Sequence, residues 1–216
     1  VAREISIQAL EQAMTAGSPV FLVGQKDIGV EAPGEKDLYT VGTISNIRQI
    51  LRMPGDNVRV MVEGQSRGRM LRMMRTTPYL EAEVQEIPAE EGPSRITAKV
   101  EALMRSTYEL FQQYTELGTK VSPDLLVHVL ASQDPGYIAD YIAQNIAMRN
   151  SDKQEILEEL RPVKRLERLH RLLEREVEIL SLDAEIQNKA REQIADHQRD
   201  YYLREQLKAI QSELGE

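Results

Sequence analysis

The sequence predicts an α+β fold: a small antiparallel β-domain, a meander or partly open barrel, followed by a helical subdomain ending in one long α-helix. Three observations predict it. Between Leu38 and Ile87 apolar and polar residues alternate, the mark of strands with one covered face. Beyond the acidic linker Pro88 to Pro93 that alternation gives way to helical spacing. From Val163 there is no Gly or Pro until Gly215, roughly 50 residues of helix formers, ~75 Å if continuous. The expected organisation is a β-rich domain over residues 1–88, a helical subdomain over 93–161 and a long connector helix over 162–216.

Taken in order, Ile5 to Ala16 place Ile5, Ala9, Leu10, Ala13 and Met14 on one helical face, and Gly17-Ser18-Pro19 stops the helix. Val20 to Val23 predicts a short buried strand, and Gln25 to Asp37 a turn-rich loop. Val58, Val60 and Val62 alternate with Arg59, Met61 and Glu63; Leu80, Ala82 and Val84 alternate with Glu81 and Glu83. Pro54-Gly55-Asp56-Asn57 predicts a hairpin turn, because Pro presets φ and Gly accepts positive φ. Four or five strands are expected. Helices follow at about Ile96–Leu117, Pro123–Ala131, Ile138–Met148 and Asp152–Leu160, broken at Gly118, Asp134-Pro135-Gly136 and Asn150-Ser151.

The last stretch is uneven. Leu166, His170, Leu173, Val177, Leu180 and Ala184 step by four and three, a heptad seam that the preceding helices can cover. Leu203, Leu207, Ile210 and Leu214 step the same way, out of register with the first seam and with nothing in the chain to meet. Between them, Gln187 to Asp200 offers only Ala190, Ile194 and Ala195. A break near Asn188, folding the helix back as a hairpin, is the alternative to one continuous rod.

Composition limits the functions open to the chain. It has 216 residues, 41% hydrophobic, no Trp and two Phe, so any core is aliphatic and Met-rich. A net charge of −8 opposes a duplex phosphate backbone, so only a local basic patch could bind one, and no nucleic-acid partner is expected through this region. The longest aliphatic runs resemble Val20-Phe21-Leu22-Val23, far short of a membrane span. The absence of Cys excludes disulfides and Cys-ligated zinc and leans towards a reducing compartment.

Catalytic motifs are tested and set aside. Gly64-Gln65-Ser66-Arg67-Gly68 matches the nucleophile-elbow pattern, but it lies between two strand-like runs, where a β-hairpin turn explains it better. Gly24-Gln25-Lys26-Asp27-Ile28-Gly29 has P-loop glycine spacing, yet Val30-Glu31 stands where Lys and Ser or Thr must hold phosphate and Mg²⁺. His128, His170 and His197 are solitary, so no metal site is expected. Arg67, Arg69, Arg72 and Arg75 with Met70, Met73 and Met74 form the densest cationic and soft-apolar cluster. A solvated sheet face over Met packing explains it; so does an adaptable surface for polypeptide segments. On the second reading Arg69, Met70, Arg72, Met73 and Met74 bind substrate.

The closing Tyr201-Tyr202-Leu203-Arg204-Glu205-Gln206-Leu207-Lys208-Ala209-Ile210, ending Glu213-Leu214-Gly215, resembles the segment just before the ATPase module of the Lon family of ATP-dependent proteases. Asp37-Leu38-Tyr39-Thr40-Val41-Gly42-Thr43 and Val60-Met61-Val62-Glu63-Gly64 are similar to that family's amino-terminal β-domain. Asp134-Pro135-Gly136-Tyr137-Ile138-Ala139-Asp140 and Lys153-Gln154-Glu155-Ile156-Leu157-Glu158 are similar to its helical part. The resemblance implies a parent serine endopeptidase with an AAA+ module, using ATP and Mg²⁺, and a Ser-Lys protease module, both downstream of Glu216. It implies a hexameric ring, a cytoplasmic bacterial setting with a mitochondrial one as the alternative, and no cofactor in this region. Family members carry a further apolar, Pro-containing β segment ahead of the residues matching Val1-Ala2-Arg3-Glu4, so either the sheet is a strand short or that segment lies outside this stretch of chain.

The expected role is non-catalytic: capture of unfolded, damaged or degron-bearing proteins for protein quality control. Tyr201, Tyr202, Leu203, Leu207, Ile210 and Leu214 are expected to serve assembly. The rivals are a free-standing coiled-coil adaptor with a β-domain cargo site and a small serine hydrolase built on Ser66.

Overall fold

The computed structural model describes residues 1, 3–55, 57–93, 95–117 and 124–215. The chain groups into two compact units, residues 1–104 with 132–169 and residues 105–131 with 170–216.

The first unit is built on an open antiparallel sheet in the order β1-β2-β3-β4, a meander of Val20–Leu22, Val41–Arg52, Val58–Arg75 and Glu81–Ile87. The meander expectation holds and the barrel alternative does not. Three corrections follow from the pairing. Gly64 to Gly68 is no hairpin turn; it lies inside the 18-residue β3, paired to β2 through Gly64↔Ser45 and Ser66↔Ile44 with Gln65 bulged out. The runs on either side of it are one strand. β1 is half-buried rather than buried, because one side of this short edge strand meets water. The turn expected at Pro54 to Asn57 includes Asp56, outside the described residues; Gly55 in it has φ +83°. At the chain start, Val1 exchanges two backbone hydrogen bonds with Val58, at 2.7 and 2.9 Å.

Helix α1, Glu4–Ala16, buries Leu10 and Ala13 against this sheet and ends at Gly17. Met14, expected on the same face, is 56% exposed. A glycine pair sets the closest contact in the sheet. Gly42 on β2 is the cross-strand partner of Gly68 on β3. A Cβ on Gly42 would come 2.3 Å from the Leu22 carbonyl oxygen and 2.7 Å from the Phe21 ring; one on Gly68 would come 2.7 Å from Val84. The two glycines thus leave a slot that the Phe21 ring fills.

The helices lie slightly off their expected bounds. Helix α2 spans Ala98–Leu117 and α3 Asp124–Ala131; the break expected at Gly118 and the start at Pro123 fall outside the described residues. Asp134-Pro135-Gly136 is the start of α4, Pro135–Asn145, and not merely a break: the Asp134 carboxylate accepts from Gly136 N at 2.8 Å and Pro135 takes the first turn. Asn150-Ser151 likewise opens α5, Asn150–Glu158. Helix α6 is continuous over 53 residues, Pro162–Leu214, ~80 Å at helical rise.

In the first unit α5 packs on β2, and buried Gln154 donates to the Val41 carbonyl at 2.9 Å. In the second, Phe111, Tyr114, Val129, Leu172, Leu173 and Val177 are buried, and Thr107 of α2 meets His170 Nδ1 of α6 at 3.1 Å. The seam Leu166, Leu173 and Val177 is therefore covered, and His170, half-buried, spends a ring nitrogen on the fold. Beyond Ala184 every described residue of α6 is exposed.

Candidate functional site

Between α1 and the sheet lies a groove of about 620 Å³. Ala9, Ala13 and Ala16 form its helical wall, and short side chains there leave the space open. Phe21, Ile44, Met70, Met73 and Val84 come from the sheet, and Tyr79, Leu80 and Glu81 stand where β3 turns into β4. The lining is mostly apolar, concave and partly made of methionine, which repacks around varied apolar partners.

Of the five residues expected to bind substrate, Met70 and Met73 line this groove. Arg69, Arg72 and Met74 do not. Two bulges explain the separation. The β3–β4 register shifts between Met70 and Arg72 and again between Met73 and Arg75, so Leu71 and Met74 are the extra residues. Both are more than half exposed. The bulges also shift the pleat, so Met70 and Met73 sit on one face although an odd step of three positions would put them on opposite faces of a regular strand.

The cationic cluster disperses into pairs. Arg72 and Arg75 have Glu83 and Glu81 as cross-strand partners, with ion pairs at 2.6 and 3.5 Å. Arg69 faces neutral Gln85. Arg67 turns away to the helices: its Nε donates to the Leu157 carbonyl at 2.9 Å and its Nη2 to Asp140 at 2.7 Å.

That last contact opens a second site which sequence reasoning missed. Asp140 on α4 accepts from Arg67 at one carboxylate oxygen and from Arg165 of α6 at the other, each at 2.7 Å. Arg165 also donates to the carbonyls of Glu159 and Leu160, both at 2.8 Å, closing the corner between α5 and α6. Its guanidinium is buried, and burial pulls its pKa down while Asp140 opposes the shift. Beside it, the Glu159 carboxylate is bound by Arg161 and Arg168; the Arg161 hydrogen bond is the main reason its pKa falls to about 2. Hollows of about 470 and 300 Å³ flank the Arg67–Asp140 pair. The one available signal was the polar Asp140 within apolar Tyr137-Ile138-Ala139 and Tyr141-Ile142-Ala143.

Ser66 sits in mid-strand, paired with Ile44, without the strand-to-helix turn that exposes a catalytic serine. Among the described residues no group of three or more His, Cys, Asp or Glu could hold a metal ion, and no helix is long and apolar enough to cross a membrane.

Comparison with known proteins places this fold. The chain is 42% identical over its whole length to the Lon protease of Clostridioides difficile (strain 630), and 42% identical to that of Heliobacterium modesticaldum. It spans 28% and 26% of those relatives, about a quarter of their length. The amino-terminal domain of the Mycobacterium avium complex Lon protease has the same fold at 20% identity, with a TM-score of 0.50 over 72% of this chain and 90% of that one. The Xanthomonas campestris Lon N-terminal domain protein matches with a TM-score of 0.54 at 15% identity, over 78% of this chain and 84% of that one. Residues 1–175 match the family model for the substrate-binding domain of the ATP-dependent protease La (LON), and the chain belongs to that family.

Proposed function

We propose that this chain is the non-catalytic substrate-recognition and assembly region of an ATP-dependent serine protease, and that it captures unfolded, damaged or degron-bearing polypeptide for degradation in a hexameric ring. The observation that carries the reading is the methionine-floored groove beneath α1, joined to family membership. An extended segment lays one or two apolar side chains over Met70 and Met73, while Arg69, Arg72 and Met74 offer contacts outside the groove. Such a surface selects for exposed apolar side chains, which folded proteins hide. Affinity is expected in the micromolar range, about −8 kcal/mol, because a surface that repacks for many ligands is complementary to none. ATP, Mg²⁺ and the Ser-Lys chemistry belong to modules other than this one. The cytoplasm of a bacterium is the setting proposed.

The test is a titration of the chain with a reduced, alkylated protein that cannot refold, against the same protein native and disulfide-bonded. Preference for the unfolded form is expected, weakened about tenfold or more by Met73→Asp, which places a charge in the groove. Equal binding of both forms would refute the reading. Loss on Arg69→Glu or Met74→Asp, with Met73→Asp silent, would move the site out of the groove.

A further inference from the structure

The two hollows that flank Asp140 differ in charge. The larger, about 470 Å³, is walled by β2 and β3 on one side and by α4 and α5 on the other, and has the size of a small-ligand site. Three charged side chains line it: Arg67, Asp140 and Lys153. Arg67 and Asp140 answer each other at 2.7 Å, and Arg165 takes the second Asp140 oxygen. Lys153 is half-buried on α5, yet among the described residues its ammonium makes no hydrogen bond or ion pair. The half-buried hydroxyls of Thr43 and Ser66 and the Gln144 amide line the same hollow, and among the described residues they too are unspent. Ala143, Ile156 and Leu157 supply an apolar wall. The smaller hollow has no such cation: Glu90 and Asp134 line it, and its Arg67 and Arg165 are both bound to Asp140.

We infer that the larger hollow is a site for the free C-terminal carboxylate of a polypeptide whose last residue is apolar. One uncommitted positive charge matches a monovalent anion, whereas a phosphate dianion would bring a second negative charge beside Asp140. Hydroxyl and amide donors supply the further hydrogen bonds that two carboxylate oxygens accept. Half-burial of Lys153 strengthens the attraction relative to a pair in open water. The apolar wall selects the source of the carboxylate. At a chain end the carboxylate and the last side chain leave the same Cα, so one meets Lys153 while the other lies against Ala143, Ile156 and Leu157. An Asp or Glu side chain brings only methylenes to that wall. Capture of a terminal carboxylate is a recurrent mode of peptide recognition. The site shares no residue with the groove beneath α1, so its failure leaves the capture reading standing.

The test titrates the whole 216-residue chain into a fluorophore-tagged Gly-Ser peptide ending in Leu, as free acid and as C-terminal amide, followed by anisotropy. The acid is expected to bind with a dissociation constant of about 100 μM, and amidation to weaken it about tenfold. The ratio of the two affinities is the readout, because contacts made elsewhere, the groove included, are common to both peptides. Lys153→Met keeps the apolar stem, removes the charge and is expected to bring that ratio to about one; Lys153→Arg is expected to keep it within about threefold. Neither change removes a polar contact among the described residues. Ending the acid in Ser instead of Leu is expected to weaken it about fivefold. Equal binding of acid and amide, no binding of either at about 500 μM chain, or a ratio that survives Lys153→Met would each overturn the inference. So would an amidated peptide ending in Glu that binds as tightly as the free acid ending in Leu, since the hollow would then read acidic side chains.

Discussion

Replacing Asp140 by alanine removes the carboxylate that the Arg67 and Arg165 guanidinium groups share. Arg165, 8% exposed at its side chain, keeps its hydrogen bonds to the Glu159 and Leu160 carbonyls but loses its counter-charge. Arg67, 19% exposed, keeps only its bond to Leu157 and then repels Arg165. Leaving a buried charge unpaired costs about 3–5 kcal/mol, and the 40% exposure of Asp140 admits water that offsets part of it. A loss of about 2–4 kcal/mol is expected, and about half that for Asp140→Asn, which retains one acceptor. Urea denaturation at neutral pH, followed by far-UV circular dichroism and by the fluorescence of the eight tyrosines, measures it. Two probes matter because the chain has two compact units and need not unfold in one step. A double-mutant cycle with Arg67→Met is expected to show coupling of about 1–2 kcal/mol, since the Arg67 bond already falls with Asp140. A loss below about 0.5 kcal/mol, or a cycle that is additive, would refute the account of Asp140 as the link between sheet and helices.

Three further outcomes follow from the same contacts. Gly42→Ala drives a methyl against the Leu22 carbonyl and the Phe21 ring and is expected to cost about 3 kcal/mol, whereas Gly64→Ala, nearest to a Thr43 methyl at 3.1 Å, costs under about 1 kcal/mol; urea midpoints compare them. Glu159, with its pKa depressed to about 2, contributes stability that is full above the unfolded value near 4.5 and is lost as pH falls through 2. Arg161 is largely exposed, so about 1–2 kcal/mol is expected to vanish over that window and to be absent in Glu159→Gln, as acid titration by circular dichroism would report. The double change Leu207→Asp, Ile210→Asp alters side chains that are 57% and 58% exposed, and at dilute concentration should lower the melting temperature by less than about 3 °C; a fall above about 8 °C would mean those residues support the fold itself.

Local information determined a good deal of this protein. Alternation from Val58 to Val62 and in Leu80 to Val84 marked strands, because a sheet with one covered face repeats every two residues and needs no distant partner to declare it. The run free of Gly and Pro after Val163 marked α6, because intrinsic propensity summed over so many residues leaves few alternatives. The second seam was legible for the same reason, and so was the family, from the stretches around Tyr201 and Asp134.

What tertiary structure alone decided lies between residues far apart in sequence. Gly64 to Gly68 has the composition of a turn, yet it became mid-strand because β2 pairs with β3 from Val58 through Arg69 and β4 takes up the pairing from Arg67 to Arg75. Bulges at Leu71 and Met74 separated one methionine of the cluster from the other two, and a bulge exists only relative to the strand opposite. Arg67 looked like its neighbours at 69, 72 and 75, but its partners lie 73 and 90 residues away on the helices. A charge's role is fixed by what stands within about 4 Å of it, and sequence spacing sets that distance only inside a single helix or hairpin.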